Sequence, residues 1–305
     1  MTASSLRIGE ARRAWRAGGG SGRLTALVLF LPPALLLFTL FVVLPIGEAA
    51  WYSGFNWNGF GKPTRWVGFD NYRFVFENKA FFTAIRNNLL IIAVSLLVQL
   101  PLALTLAIML ADRFRGAVAL RMVFFLPYIL AEVATGLIFS FVYDGDHGLL
   151  AAIYRWFGAE APHLLASRTT AFPAILVVIV WKYFGFHMML YIAALQGMDR
   201  NMVEAARIDG ASRWQVLRYI VIPTLYPTIR LSVFFAIVGS LQLFDLVMPL
   251  TRGGPADSSH TMVSFLYNFG VTRMRVGFGS AVGVILFCIC VTFAFTYKRW
   301  FMRNE

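Results

Sequence analysis

The chain reads as a succession of long apolar runs separated by short polar stretches. Leu24 to Gly47, Asn87 to Ala111 and Val276 to Tyr297 contain no charged residue. Met122 to Tyr143 is interrupted only by Glu132, Thr169 to Met198 only by Lys182, and Leu231 to Thr251 only by Asp245. A helix needs roughly 20 apolar residues to cross about 30 Å of hydrocarbon, and each run is long enough. The pattern predicts an all-α, polytopic membrane protein with about six transmembrane helices. They are expected near 24–48, 87–111, 120–143, 171–195, 229–250 and 277–298, after an N-terminal tail of residues 1–23.

Composition agrees: 59% of the residues are hydrophobic and 14% charged, against roughly 45–50% and 25% in soluble domains. A net charge of +12 raises the question of nucleic acid. The basic residues lie between the apolar runs rather than on one soluble face, so no nucleic-acid partner is expected. Apart from Lys182, sixteen Lys and Arg fall in the tails and loops on the N-terminal side of the membrane and ten in the loops opposite. Positive residues favour the cytoplasm, so both termini are expected inside. The first run exceeds the 7–15 residues of a signal-peptide core, which favours a retained span over a cleaved leader. Cys288 and Cys290 point to different sides of a helix, so neither a disulfide nor a metal site is expected. Trp51, Trp57 and Trp66, beyond the first run, suit an interfacial belt.

The largest predicted cytoplasmic loop, residues 197–223, reads as two short helices with a hinge. Gly210 is placed to end the first in a left-handed conformation. Ser212 opens the second with a Ser-x-x-Gln capping box completed by Gln215. Trp214, Leu217 and Val221 then form an apolar stripe, and Pro223 is expected to end that segment before the fifth span. From spacing alone, an amphipathic helix resting on the membrane surface fits as well.

Glu204-Ala205-Ala206, Asp209-Gly210-Ala211 and Ile220-x-Ile222-Pro223 resemble the EAA loop of binding-protein-dependent ABC importer permeases, with Ile222 in place of the usual Leu. Val67-Gly68-Phe69-Asp70-Asn71-Tyr72 and Arg121 with Phe124-Phe125-Leu126-Pro127-Tyr128 are similar to other segments of the family, and Leu250-Thr251-Arg252-Gly253-Gly254-Pro255 resembles the Gly-Gly-Pro turn of its carbohydrate-uptake, maltose-type branch. Arg252 stands where Gly is usual. The resemblance implies a multi-pass permease of a bacterial or archaeal inner membrane that carries a sugar or oligosaccharide. It also implies partners: a pair of cytoplasmic ATPase subunits, a second permease chain and an extracytoplasmic solute-binding protein. Glu204, Ala205, Ala206, Asp209, Gly210, Ala211 and Pro223 would belong to the loop that couples to the ATPase. Asp209 reads equally as a helix-end residue.

No phosphate-binding loop of the form Gly-x-x-x-x-Gly-Lys-Ser/Thr is present; the single Gly-Lys pair, Gly61-Lys62, precedes Pro63. The chain is therefore expected not to bind ATP itself, and the resemblance implies a transport subunit with no cofactor, not an enzyme. No internal repeat of the kind secondary transporters show is evident, and the four scattered histidines make no membrane-enzyme centre. Polar groups inside the apolar runs are functional candidates. Glu132 and Lys182 either pair with each other or line a solute path. Gln242 and Asp245 are candidates to bond sugar hydroxyls, and Trp181, Tyr183 and Phe244 either stack on a sugar or simply pack. His187 reads as a packed or hydrogen-bonded residue. The alternative cargo is another polar solute such as glycerol phosphate, which would call for several cations facing the path.

Overall fold

A computed structural model describes residues 27–111 and 114–301, apart from the side chain of Arg200. The N-terminal tail 1–23 lies outside the described residues. The elements in order are α1 (Leu27–Tyr52), α2 (Asp70–Glu77), α3 (Lys79–Leu110), α4 (Ala117–Ile129), α5 (Glu132–Val142), α6 (Leu149–Trp156), α7 (Ala171–Gln196), α8 (Arg200–Ile208), α9 (Arg213–Gln242), α10 (Val247–Thr251), α11 (Met262–Phe265, continued by a wide turn Leu266–Thr272) and α12 (Val276–Phe301). Five helices, α1, α3, α7, α9 and α12, are long and apolar enough to cross a membrane. The count is six if α4 and α5 together form one span.

Three expectations need correction. The third run, expected as one span over 120–143, is two helices bent by 96°. Pro127 lies inside α4, and Leu130 and Ala131 are extended with ψ of 139°. The missing Pro N–H weakens the end of α4, and Glu132 restarts the chain at a helix N-terminus, where an acid is favoured. The fifth run, expected over 229–250, is one helix from Arg213 to Gln242, then a break, then the short α10. Pro223 does not end the loop's second helix, which runs on into the fifth span.

Prolines 45, 101 and 223 share a device. Each follows a five-residue π turn, Thr39–Val43, Ser95–Gln99 or Leu217–Val221, with one residue between. The N–H of that intervening residue bonds the carbonyl five positions back: Leu44 to Thr39, Leu100 to Ser95, Ile222 to Leu217. The widened turn makes room for the ring and reassigns the bond the proline cannot make, so the helix continues. A proline in an undistorted helix interior costs about 3 kcal/mol or more.

α7 is the central helix. It is apolar all round, as a helix surrounded by others should be. Its C-terminal half meets α3 through Ala103, Ala107, Phe184, Met188 and Tyr191. Its N-terminal half meets α3 and the start of α10 through Ile91, Ile175, Ile179, Leu246 and Val247. A third cluster, centred on Phe81, Phe265, Phe269 and Phe278, joins α2, α3, α11 and α12. α1 lies outside the bundle against α12, with its apolar side chains exposed. Beyond α1, Asn71 donates to the carbonyls of Ser53 and Phe55 at 2.8 and 2.9 Å. Trp66 packs edge-on to Phe55 and near Trp51, so two of the three tryptophans expected in a belt pack together in the segment after α1. Arg121 closes the end of α3, its guanidinium donating to the carbonyls of Leu110 and Ala111.

The breaks in the chain are tied by side chains. Asn88, 1% exposed, donates to the Ser240 carbonyl at the end of α9 and accepts the Met262 N–H that opens α11. Thr261 donates to the Leu243 carbonyl inside the break, and Asn87 donates to the carbonyls of Ser258 and His260. Asn88→Leu leaves two buried backbone groups unpaired at about 1–3 kcal/mol each. We predict a loss of roughly 2–6 kcal/mol, read as a lower thermal midpoint of the purified protein in detergent. An unchanged midpoint would remove Asn88 from this role.

Candidate functional site

The two breaks face one another. α5 packs on α10 at Gly136, where an added Cβ would sit 2.9 Å from the Leu246 carbonyl oxygen and 3.0 Å from Pro249 Cβ. Only glycine lets the two segments approach so closely. Beside this contact lies a cavity of about 530 Å³. α3 contributes Ile91, Ser95 and Gln99; Tyr128 and Glu132 come from the two sides of the bend. α7 supplies Tyr183, Phe186 and His187. The last turns of α9 and the break after it add Phe235, Ser240, Gln242, Leu243 and Asp245. The size suits a small solute, and the mixture of aromatic rings with a few polar groups is that of a ligand pocket.

Glu132, Tyr183, Gln242 and Asp245, each a pathway candidate from sequence, line this cavity together. Trp181, Lys182 and Phe244 do not. Trp181 packs edge-on against Phe139 at 5.0 Å, and Phe244 against Tyr267 at 5.2 Å. The pairing of Glu132 with Lys182 is also absent. Lys182, 1% exposed, donates from Nζ to the carbonyls of Pro127 at 3.3 Å and Leu130 at 2.6 Å. It satisfies the carbonyls that the bend frees. Glu132 instead accepts from the Tyr183 hydroxyl at 2.7 Å. His187 is hydrogen-bonded as expected, Nδ1 to the Ser232 hydroxyl at 2.5 Å, yet it also borders the cavity.

Sequence reasoning missed Ser95, Gln99, Tyr128 and Phe186. The first two were findable: with Ile91 they recur every four residues along a run without charge, so they share one helix face. Tyr128 and Phe186 carry no such mark, and only the structure shows their rings stacked at 4.9 Å and 25°.

A second feature lies away from the cavity, where α8 meets α9. Asp199 caps α8 by accepting the Asn201 N–H. The helix ends as expected at Gly210, whose φ is +83°, and the Ala211 N–H bonds the Ala206 carbonyl at 2.9 Å. The Ser212–Gln215 capping box opens α9. Glu204, Ala205, Asp209 and Gly210 are exposed, and Ala206 and Ala211 half-buried. Of the predicted apolar stripe, Trp214 is 65% exposed while Leu217 and Val221 are half-buried, and Ile208 at 86% and Tyr219 at 70% are exposed as well. The hairpin therefore presents an uncovered apolar and polar surface.

One further cluster, Asp144, Asp146 and His147, brings ligand-type atoms within 4.8 Å of one another. All three are exposed. The Asp144 carboxylate is already engaged, accepting the N–H groups of Asp146 and His147 at 2.8 Å, which holds its carboxyl below the usual range. This is the geometry of an Asx turn.

Residues 99–303 match the family described as the binding-protein-dependent transport system inner membrane component. The chain is 32% identical over 285 residues to the diacetylchitobiose uptake system permease protein NgcF of Streptomyces coelicolor, covering 89% of this chain and 81% of that protein. It is 30% identical to the sulfoquinovosyl glycerol transport system permease protein SmoG of Agrobacterium fabrum, covering 89% of each. In fold it matches a chain in the crystal structure of a bacterial ABC transporter involved in the import of the acidic polysaccharide alginate, with a TM-score of 0.81 at 22% identity over 96% of this chain and 99% of that one. The spans, the family match over 99–303 and relatives aligned along most of their length make this chain a membrane-spanning permease of the binding-protein-dependent transport system inner membrane component family.

Proposed function

We propose that the chain forms one half of the membrane pathway of an ATP-driven sugar importer, with both termini cytoplasmic. Its solute path runs through the cavity between the two broken helices. The observation that carries this reading is the continuity of α9. Its first turns form one arm of the α8–α9 hairpin, and its last turns, from Phe235 to Gln242, wall the cavity. A 30-residue helix spans about 45 Å at 1.5 Å per residue, enough to join a cytoplasmic surface to the membrane interior as one rigid body.

In this reading the exposed hairpin docks on an ATPase subunit of a pair. Glu204 supplies a polar or ionic contact, Ala205 and Ala206 permit close approach, and Gly210 makes the turn. Asp209, at the C-terminal end of α8 with φ of −74°, is a helix-end residue first. ATPase closure tilts α9, and the tilt opens or closes the cavity to one side. The exposed apolar faces of α4 and α5, with Val123, Leu126, Ile129 and Phe141 uncovered, are where a second permease chain and lipid complete the pathway. A solute-binding protein delivers the cargo, a role supported by the family's description as a binding-protein-dependent transport system. Sugar fits the lining. Tyr128, Tyr183, Phe186 and Phe235 offer ring faces, while Gln99, Gln242, Glu132 and Asp245 offer hydroxyl partners. The relatives named above for sugar compounds support the same class.

The hairpin assignment predicts that Gly210→Val, which puts a β-branched residue at φ +83°, costs about 1–2 kcal/mol locally and uncouples transport. Glu204→Lys should do the same by charge. Both variants should reach the membrane in normal amounts and lose co-purification of an ATPase subunit; coupled transport at the unaltered rate in both would overturn the docking role. The cavity assignment predicts that Gln242→Leu lowers solute uptake by roughly tenfold, on the scale of one or two lost polar contacts, while ATPase co-purification stays intact. Uptake within twofold of the unaltered protein would place the path elsewhere.

A further inference from the structure

We propose that the cavity discriminates by charge, accepting neutral and amino sugars and rejecting solutes that carry a carboxylate or phosphate. This rests on the sugar-permease reading above and names the solute class within it. Two carboxylates, Glu132 and Asp245, line the same space of about 530 Å³, and no lining residue is Lys or Arg. Among the described residues neither carboxylate forms an ion pair, and the partner of Glu132 is the neutral Tyr183 hydroxyl.

The one cation inside the apolar runs, Lys182, acts on Glu132 through space but does not line the cavity. Lys182 Nζ is held by the carbonyls of Pro127 and Leu130, and turning it toward a solute would leave both buried and unpaired. Arginines 65 and 275 border a separate hollow of about 200 Å³ with Trp57 and Phe278, outside the cavity. A third negative group would enter a low-dielectric space already holding two acids. It would also find neither Lys nor Arg, with which proteins commonly bind carboxylate and phosphate, and the lining His187 is engaged at Nδ1 by the Ser232 hydroxyl. An ammonium meets the reverse situation, and a neutral sugar uses the carboxylates as acceptors for its hydroxyls. The alginate transporter shares the fold at 22% identity, so the fold leaves cargo charge open and the lining decides it.

The test uses three probes built on one ring: methyl glucoside, glucosamine and glucuronate. The full chain, tagged and purified with the subunits that accompany it, is placed in lipid nanodiscs at neutral pH, and binding is followed by saturation-transfer NMR. Glucuronate should bind at least ~10-fold more weakly than methyl glucoside, and glucosamine at least as tightly, as expected for an uncompensated charge in a poorly screened site. In the Glu132→Gln/Asp245→Asn double variant, where an amide oxygen can still accept from the Tyr183 hydroxyl, the glucoside-to-glucuronate gap should narrow to about threefold. Equal binding of glucuronate and glucoside by the unaltered protein, or a gap that the double variant leaves unmoved, overturns the charge proposal and leaves the sugar reading standing. Saturable binding of none of the three overturns the sugar reading and this proposal with it.

Discussion

Every backbone N–H and C=O inside a bilayer must find a partner within the protein, because no water is there to supply one. This molecule interrupts two of its apolar runs, and at each interruption the freed groups are met by particular side chains. At the bend between α4 and α5 the Lys182 ammonium takes two carbonyls. Beyond α9, Asn88 and Thr261 take the carbonyls of Ser240 and Leu243. The cavity lies where these two interruptions meet, and Glu132, Leu243 and Asp245 reach it from non-helical chain or the first turn after it. Irregular backbone at membrane depth is tolerated where protein buries it or where it lines a cavity, and here both conditions hold.

The same constraint separates two classes of proline. Prolines 45, 101 and 223 sit just past π turns that preserve the helix, while Pro127 sits three residues before a break. What differs is the neighbourhood. The carbonyls freed near Pro127 are adopted by a buried lysine from α7, and a glycine at 136 lets the following helix press against α10. Of these four prolines, the one that leads to a bend is the one whose neighbouring carbonyls a side chain from another helix takes up, and the other three follow wide turns.

Much of this was legible in the sequence. Apolar run length set the number of spans, since the cost of exposing polar backbone to lipid leaves little choice. The Gly210 turn and the Ser212–Gln215 cap were legible because they depend on four or five adjacent residues. The 96° bend was not, because it needs Lys182, distant in the chain, to make it tolerable. Of the two readings offered for Glu132 and Lys182, the pairing fails for the same reason: opposite charges in neighbouring spans suggest attraction, but backbone carbonyls claim the lysine. Of the aromatic candidates only Tyr183 reached the cavity. Trp181 and Phe244 occupy positions one or two residues from lining residues, and periodicity alone does not tell which face of a helix that is apolar all round is turned inward.

The uninterrupted α9 turns these local solutions into a device. Had Pro223 ended a helix, as its type suggests, the hairpin would be joined to the span by a hinge, and motion at the hairpin would dissipate there. The π turn Leu217–Val221 removes that hinge while leaving the helix locally wide. At the far end the opposite choice is made: α9 stops at Gln242, and Leu243 to Leu246 run without helix before α10. Under the proposed coupling, a helix rigid from the hairpin to the cavity and broken immediately beyond it delivers its displacement at the cavity wall rather than past it. The segment after the break carries Asp245, so in that proposal movement of the hairpin and rearrangement of the solute's polar partners are one mechanical event.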